Sequence, residues 1–127
     1  MDYLVRRAQE IHNALLPDIL AFKDRTVAVL RVKHFDGTCT DIIGGGTEDI
    51  VPRQRALFRS WPIEDEARDR GKHAEVKVLE HMRTLPLIYD KPVALGSSNI
   101  ICPNCQKFIR DWGPPGFLIS SRGAIWR

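Results

Sequence analysis

Two short motifs constrain the fold most strongly, because both carry metal-binding residue types and lie far apart in the chain. Residues 73–75 read His-Ala-Glu, and residues 102–105 read Cys-Pro-Asn-Cys. One histidine and two cysteines suit a zinc site that keeps its fourth tetrahedral position open for water. Zinc lowers the pKa of such a water to roughly 7, and a nearby carboxylate can move its protons. The fold must therefore bring the two motifs together.

The first motif opens a predicted helix over residues 72–85. Its apolar residues recur at helical spacing: Ala74, Val78 and Met82, widened by Val76 and Leu79. That helix leads away from the motif for about 12 residues, or ~18 Å at ~1.5 Å per residue. The strand and turn that follow can return a similar distance at ~3.3 Å per residue. Residue 102 is therefore expected beside residue 73.

The second motif opens another helix. Proline is favoured at the first helical position, so Pro103 predicts that Cys102 caps this helix and that Cys105 lies one turn inside. Both helix N-termini then face the metal, and their dipoles favour thiolates. Glu75, two residues after His73, leaves its helix in a different direction and is expected beside the open face of the metal.

The remaining pattern predicts an α/β layer fold in one domain, residues 1–127. The order of elements is helix, strand, strand, helix, strand, helix, strand. Besides the helix over 72–85, the predicted elements are a helix over 2–22 that Pro17 breaks or kinks, strands over 26–35 and 38–43 joined by Asp36-Gly37, a strand over 92–95, a helix over 105–112, and a strand pair or bent strand over 117–127 with a turn at Arg122-Gly123.

Glycine-rich and charged segments are predicted to be loops. The triplet Gly44-Gly45-Gly46 is expected to end a strand, and residues 96–99 are expected to turn toward the cysteines. A long loop up to about residue 71 has room for a short helix around 53–58. Trp61 lies among arginines in this loop, and two interpretations are open. Trp61 could stack on a base while the arginines bind phosphates, or it could attach the loop to the core.

Composition narrows the class of protein. The chain has 43% hydrophobic and 28% charged residues, which is typical of a globular domain, and no apolar run approaches the ~20 residues of a membrane span. Its first residues do not resemble a signal peptide, so export is expected by another route or within a longer chain. A formal net charge of +3 permits an anionic substrate without demanding one.

Two other interpretations of Cys-Pro-Asn-Cys compete with a catalytic zinc site. A structural zinc ribbon needs a second cysteine pair, but the chain has three cysteines in all, and Cys39 falls in a predicted strand. A closed site made by Cys39, His73 and the pair is the remaining structural form. A thioredoxin-like redox pair needs more strands downstream than the 22 residues after Cys105 provide.

The two motifs, each opening a helix with one strand between them, resemble the zinc-dependent cytidine deaminase superfamily. The string His-Ala-Glu-Val-Lys-Val-Leu at 73–79 is more similar to bacterial deaminase toxins than to housekeeping cytidine deaminases. The motifs cover residues 72–110, and the order of elements extends the likeness more weakly. The resemblance implies a three-layer α/β/α fold with a central mixed sheet.

Residue roles follow from the same resemblance. It makes zinc the cofactor, held by His73, Cys102 and Cys105, and makes Glu75 the proton shuttle between water, ring nitrogen and leaving ammonia. The candidate substrate contacts are Ala74, whose backbone would face the base, with Ile101, Asn99 and Trp61. The family usually has proline where this chain has Ile101, and that residue helps to wall the base pocket, so the choice of substrate stays open.

The implied function is hydrolytic conversion of cytosine to uracil in nucleic acid, with DNA favoured and adenine not excluded. The implied setting is the toxic domain of a secreted bacterial protein that acts in the cytoplasm of a target cell, with a cognate immunity protein as partner and no membrane. Two alternatives remain: a deaminase of free nucleosides or small bases, and a non-catalytic module stabilised by zinc.

Overall fold

A computed structural model of the chain describes residues 2–14, 26–45, 54, 64–67, 73–82, 91–112 and 115–126. Within these ranges the helices are α1 (Asp2–Asn13), α2 (Ala74–Met82) and α3 (Pro103–Arg110). The strands are β1 (Val27–Lys33), β2 (Cys39–Gly45), β3 (Glu64–Ala67), β4 (Lys91–Ser97), β5 (Gly116–Ser120) and β6 (Gly123–Trp126). The chain therefore has an α/β fold, as predicted.

The described strands form one sheet in the order β3-β2-β1-β4-β6-β5. Five of them pair antiparallel, and β3 joins the edge parallel to β2. The predicted hairpin of the first two strands and the C-terminal strand pair are both present. The C-terminal turn is at residues 121–122, one position earlier than predicted, because Gly123 already pairs with Gly96.

Helices cover both faces of the sheet. The alternating side chains of β1 show which helix lies on which face. Val27 and Val29 belong to the cluster that contains the apolar side of α1, whereas Ala28 and Leu30 belong to the cluster beneath α2 and α3. Successive side chains of a strand point to opposite faces, so α1 lies on one face and the two motif helices lie on the other. Both helices that open with a motif thus share one side of the sheet.

The β1–β2 hairpin ends in the turn that Asp36-Gly37 predicted. Gly37 has φ of +90°, a conformation that glycine adopts without the cost of a Cβ atom. The carboxylate of Asp36 accepts hydrogen bonds from the backbone N–H of Thr38 at 2.9 Å and from its hydroxyl. These bonds lower the pKa of Asp36. The register that follows pairs Lys33 with Cys39, at the end of the sheet away from the motifs.

Two strands extend beyond their predicted ends and include glycine residues that were expected to lie in turns. β2 continues to Gly45, and β4 continues through Gly96 to Ser97. Gly44 lies under α2, where an added Cβ would come within 2.9 Å of Val78 Cγ1. These glycines allow helices to approach the sheet closely, whereas the sequence suggested that they end strands.

A buried ion cluster fixes α1 to the sheet. Asp41 of β2 accepts hydrogen bonds from Arg7 of α1 at 3.2 Å and from Arg31 of β1 at 2.9 Å and 3.1 Å. The hydrogen bond and charge of Asp41 raise the pKa of Arg31. Both guanidinium groups also lie 5.3 Å from the centre of the Tyr3 ring.

Several predictions fall outside the described residues. They are the helix beyond residue 14, the helix around 53–58 apart from Gln54, the position of Trp61, and the end of the helix predicted to reach residue 85. The prediction of a long loop up to about residue 71 is wrong at Glu64–Ala67, because these residues pair with β2 and form β3. Among the helices that the structure describes, none has the length and apolar character needed to span a membrane.

Candidate metal centre

The structure brings His73, Cys102 and Cys105 together. Nδ1 of His73 lies 3.2 Å from Sγ of Cys105 and 3.5 Å from Sγ of Cys102. The three potential ligand atoms all lie within 4.8 Å of one another. His73 is exposed, Cys102 half-buried and Cys105 buried, so the cluster lies at the boundary between core and surface.

The start of α3 positions both cysteines. Cys102 occupies the N-cap with an extended backbone (φ −69°, ψ 159°), Pro103 follows at the first helical position, and the carbonyl of Cys102 accepts the N–H of Gln106 at 2.9 Å. The predicted role of Pro103 is confirmed, and the helix begins two residues before the predicted Cys105. Cys105 therefore points back toward the cap from the first turn, and it is 1% exposed.

The start of α2 positions the histidine. His73 immediately precedes the helix, and its carbonyl accepts the first helical hydrogen bond from the N–H of Lys77 at 2.9 Å. Ala74 follows, 1% exposed, with its carbonyl 3.6 Å from the point where a Cβ on Gly44 would be. The absence of a side chain at Gly44 thus lets the first turn of α2 lie against β2.

Glu75 is buried beside this cluster, 4% exposed, and Ser97 holds it in place. The Ser97 hydroxyl donates to Oε1 of Glu75 at 3.0 Å and accepts the backbone N–H of Asn99 at 3.3 Å. Because the Asn99 N–H occupies a lone pair of the hydroxyl, the Ser97 proton is directed to Glu75. The sequence did not reveal Ser97, since residues 96–99 were predicted to be a turn.

The environment of Cys105 favours a neutral thiol in the absence of a cation. Burial raises the pKa of Cys105, and the negative charges of Glu75 and Cys102 raise it further. A divalent cation would reverse the balance, because a coordinating thiol loses its proton to the metal.

The donor set fits a metal ion. Ligand atoms at ~2.3 Å (S) and ~2.0–2.1 Å (N) from one tetrahedral zinc lie roughly 3.5 Å apart, close to the two N–S distances found here. Two sulfur atoms and one imidazole nitrogen are also the ligand types that zinc prefers. The cluster could therefore hold a metal ion.

Cys39 takes no part in this cluster. It begins β2 opposite Lys33, whereas the strand ends near the cluster are Gly44, under α2, and Ser97. Gly44 lies five positions along the strand from Cys39, which is ~17 Å at ~3.3 Å per residue. The closed site with Cys39 as a fourth ligand is therefore ruled out by the fold.

The four predicted substrate contacts have different positions. Ala74 and Ile101, each 1% exposed, belong to the core beneath α2 and α3. Asn99 is half-buried, and its side-chain amide donates to the hydroxyl of Thr26, the residue before β1, at 2.8 Å. Trp61 lies outside the described residues. Their contact with a substrate stays a prediction.

No protein-family model, no curated protein and no solved structure matches the chain. Any functional assignment therefore depends on the chemistry of the centre and on the resemblance that its two motifs carry. Its arrangement offers three potential ligands for a cation and a nearby buried carboxylate, since the charge of Glu75 contributes to the raised pKa of Cys105. Such a pairing suits hydrolysis in which one group activates water and the other transfers protons.

Proposed function

We propose that this protein is a zinc-dependent hydrolytic deaminase that converts cytosine to uracil in nucleic acid. The observation that carries the proposal is the buried carboxylate of Glu75 beside the cluster of His73, Cys102 and Cys105. A structural zinc site needs four protein ligands and no acid–base residue. Here the described residues provide three ligands of one cluster, with a carboxylate fixed by a hydroxyl next to it.

In the proposed mechanism His73, Cys102 and Cys105 hold zinc. Zinc, when bound, supplies the acidity that makes water a nucleophile at neutral pH. Glu75 accepts one proton of the attacking water and delivers it to the ring nitrogen. Glu75 then transfers the proton of the added hydroxyl to the amine, which leaves as ammonia while the hydroxyl oxygen becomes the carbonyl oxygen. Ser97 keeps the carboxylate in one orientation throughout. Water adds at the carbon that bears the amine, and the C–N bond breaks.

The choice of cytosine rests on the resemblance of the two motifs to cytidine deaminases. The arrangement of helices on both faces of a mixed sheet supports it, because the implied family fold is a three-layer α/β/α structure with such a sheet. The preference for nucleic acid, with DNA favoured, rests on the likeness of residues 73–79 to bacterial deaminase toxins. The same likeness makes the protein the toxic domain of a secreted effector, neutralised by an immunity protein in the producing cell.

A comparison of Glu75→Ala with Glu80→Ala tests the catalytic role. Zinc-loaded wild type and both variants are incubated with single-stranded DNA, duplex DNA, RNA and free cytidine, followed by sequencing of the polymers and an ammonia assay. We expect C-to-U conversion by the wild type and by Glu80→Ala, which removes a carboxylate from the same helix. Glu75→Ala should lose at least about 100-fold in rate, as is usual for a lost acid–base group, while it keeps its zinc.

Each outcome separates the alternatives. Full activity of Glu75→Ala would exclude the mechanism. Conversion of free cytidine alone would indicate a nucleoside deaminase. Stoichiometric zinc with no conversion of any substrate would favour a binding module stabilised by zinc.

A growth experiment tests the proposed setting. Expression of the wild-type chain in the cytoplasm of a bacterium that lacks an immunity protein should stop growth and leave C-to-T changes in its DNA. Glu75→Ala should do neither. Normal growth with demonstrably active enzyme would contradict the toxin proposal and leave the deaminase proposal intact.

A further inference from the structure

The turn between β5 and β6 lies directly beside the candidate centre. The N–H of Ser97 donates to the carbonyl of Arg122 at 2.9 Å, and the N–H of Ile101 donates to the carbonyl of Ser121 at 2.8 Å. These two bonds bracket the segment that leads from the partner of Glu75 to Cys102. The turn is therefore fixed to the loop that supplies a metal ligand.

The register of the sheet places Arg122 on the same face as Glu75. Gly96 pairs with Gly123, so the next step of the antiparallel ladder sets Ser97 opposite Arg122. Residues directly opposite have Cβ atoms about 5 Å apart on one face of the sheet. Ser97 reaches Glu75 from that face.

The alternation of β6 leads to the same placement. Ala124 and Trp126 belong to the core beneath α2 and α3. Arg122 belongs to the turn directly before β6, and its carbonyl accepts the N–H of Ser97, so this pairing continues the ladder on the side that Ala124 occupies. An arginine thus stands at the edge of the face that carries the centre.

Charge and exposure make this arginine available to a ligand. Arg122 is exposed, and its guanidinium forms no ion pair or hydrogen bond with any side chain that the structure describes. Ile100, in the loop that the turn contacts, is 66% exposed. The rim therefore presents an exposed cation beside the loop that carries Ile100, and a phosphate group is a ligand of the opposite charge. Arginine pairs with phosphate through two parallel hydrogen bonds.

We propose that Arg122 binds a phosphate group of the substrate, so that the centre acts on cytosine nucleotides, free or within a strand, in preference to cytidine. This inference depends on the proposed deaminase function for its substrate, and it adds a binding residue that neither motif contains. In this proposal the β5–β6 turn provides the phosphate-binding residue, and the starts of α2 and α3 provide the metal ligands and the acid–base residue.

The test compares Arg122→Gln with Arg110→Gln, which removes the same charge from the exposed last turn of α3. Rates are measured on cytidine, on cytidine 5′- and 3′-monophosphate, and on a single-stranded oligonucleotide with one cytosine. We expect the wild type to favour the phosphate-bearing substrates. Arg122→Gln should lose at least tenfold more kcat/KM on them than on cytidine, chiefly through KM, and Arg122→Lys should recover part of that loss. Arg110→Gln should change this ratio less than twofold.

Binding provides a second readout that does not need turnover. Binding of a labelled oligonucleotide to the zinc-loaded proteins is measured by fluorescence anisotropy over a series of salt concentrations. Arg122→Gln should reduce the slope of log affinity against log salt by about one, because it removes one phosphate contact. Equal slopes for Arg122→Gln and Arg110→Gln, or equal wild-type rates on cytidine and its phosphates, would overturn the inference. Absence of turnover with every substrate would overturn the deaminase proposal instead, and the binding slopes would still decide the role of Arg122.

Discussion

A buried carboxylate needs a hydrogen-bond donor, and Ser97 supplies it to Glu75. Ser97 is fully buried, and the adjacent backbone N–H of Asn99 fixes which way its hydroxyl points. The orientation of the proposed proton shuttle is thereby tied to the loop that leads into Cys102. Ser97 acts as a positioning residue, because it reaches the reaction through Glu75.

Ser97→Ala should lower kcat about tenfold while KM stays within twofold and zinc stays bound. The reason is that Glu75 would lose the donor that orients it, and one hydrogen bond to a charged group contributes about 1.5–3 kcal/mol. The measurement is steady-state kinetics on the best substrate, together with zinc content.

Ser98→Ala is the matched control for this prediction. Ser98 is 2% exposed, and its hydroxyl accepts the N–H of Val27 at 2.9 Å, away from Glu75. Loss of that bond should lower the free energy of unfolding by about 1 kcal/mol and leave kcat nearly unchanged. Equal losses of kcat in the two variants would mean that Ser97 is merely structural.

The clustering of His73, Cys102 and Cys105 could be predicted from sequence, whereas the contact of Ser97 with Glu75 could not. The two motifs hold metal-binding residue types, and one helix and one strand between them return the chain to its starting point, so residue type and spacing predicted the cluster. A serine hydroxyl is common, and its role depends on which face of the strand it occupies. That face is defined only because β4 extends to residue 97, which puts Ser97 on the same side as Leu95, beneath α2.

At the scale of elements, glycine sets the distance between helices and sheet. A Cβ on Gly96 would lie against backbone atoms of Leu4 and Val5 in α1, and a Cβ on Gly44 would meet the side chain of Val78 in α2. Both glycines lie within strands, although glycine in a sequence usually indicates a turn or a weakened strand. The sequence cannot show this, because the need for glycine comes from a helix distant in the chain.

Gly96→Ala should destabilise the protein more than Gly44→Ala does. A helix backbone cannot move away without losing its other contacts, whereas the Val78 side chain can shift, and overpacking typically costs about 1–3 kcal/mol. Urea unfolding followed by circular dichroism gives both free energies. Adding Val78→Ala should relieve the steric part of the Gly44→Ala penalty, measured against Val78→Ala alone. A smaller cost for Gly96→Ala would contradict the close approach of α1.

The order of elements was largely predictable, with one exception. The hairpin of β1 and β2, the two motif helices and the C-terminal strand pair all carry strong local signals. Strand β3 does not, since Glu64-Asp65-Glu66-Ala67 shows no alternation of apolar and polar residues. It joins an edge of the sheet in parallel with β2, where Asp41 pairs with Glu64, so the pairing depends on a distant strand and not on its own sequence.

At the scale of the whole molecule, the candidate centre lies between the starts of α2 and α3, two helices that pack on the same face of the sheet. His73 precedes α2, and Cys102 and Cys105 begin α3, so a bound ion would connect the two helix starts on one face. The apolar cluster under α1 contains none of the three residues, and the cluster under α2 and α3 includes only Cys105 among many buried apolar side chains, so both should persist without an ion. The metal is therefore expected to add stability to a fold that already exists.

Removal of zinc should lower the free energy of unfolding without unfolding the chain. A ligand at 1,000 times its dissociation constant contributes about 4 kcal/mol to the native state, so a chelator should shift the thermal midpoint downward while circular dichroism still reports helix and strand.

Cys102→Ala should reproduce the chelated state, because it removes one of the three proposed ligands. Cys39→Ala, which removes a cysteine at the far end of the sheet, should keep stoichiometric zinc. Complete unfolding on chelation would point to a structural zinc domain, and unchanged zinc content in Cys102→Ala would refute the ligand set. A folded, metal-free protein that regains activity on adding zinc is the behaviour expected of a catalytic centre placed on a preformed scaffold.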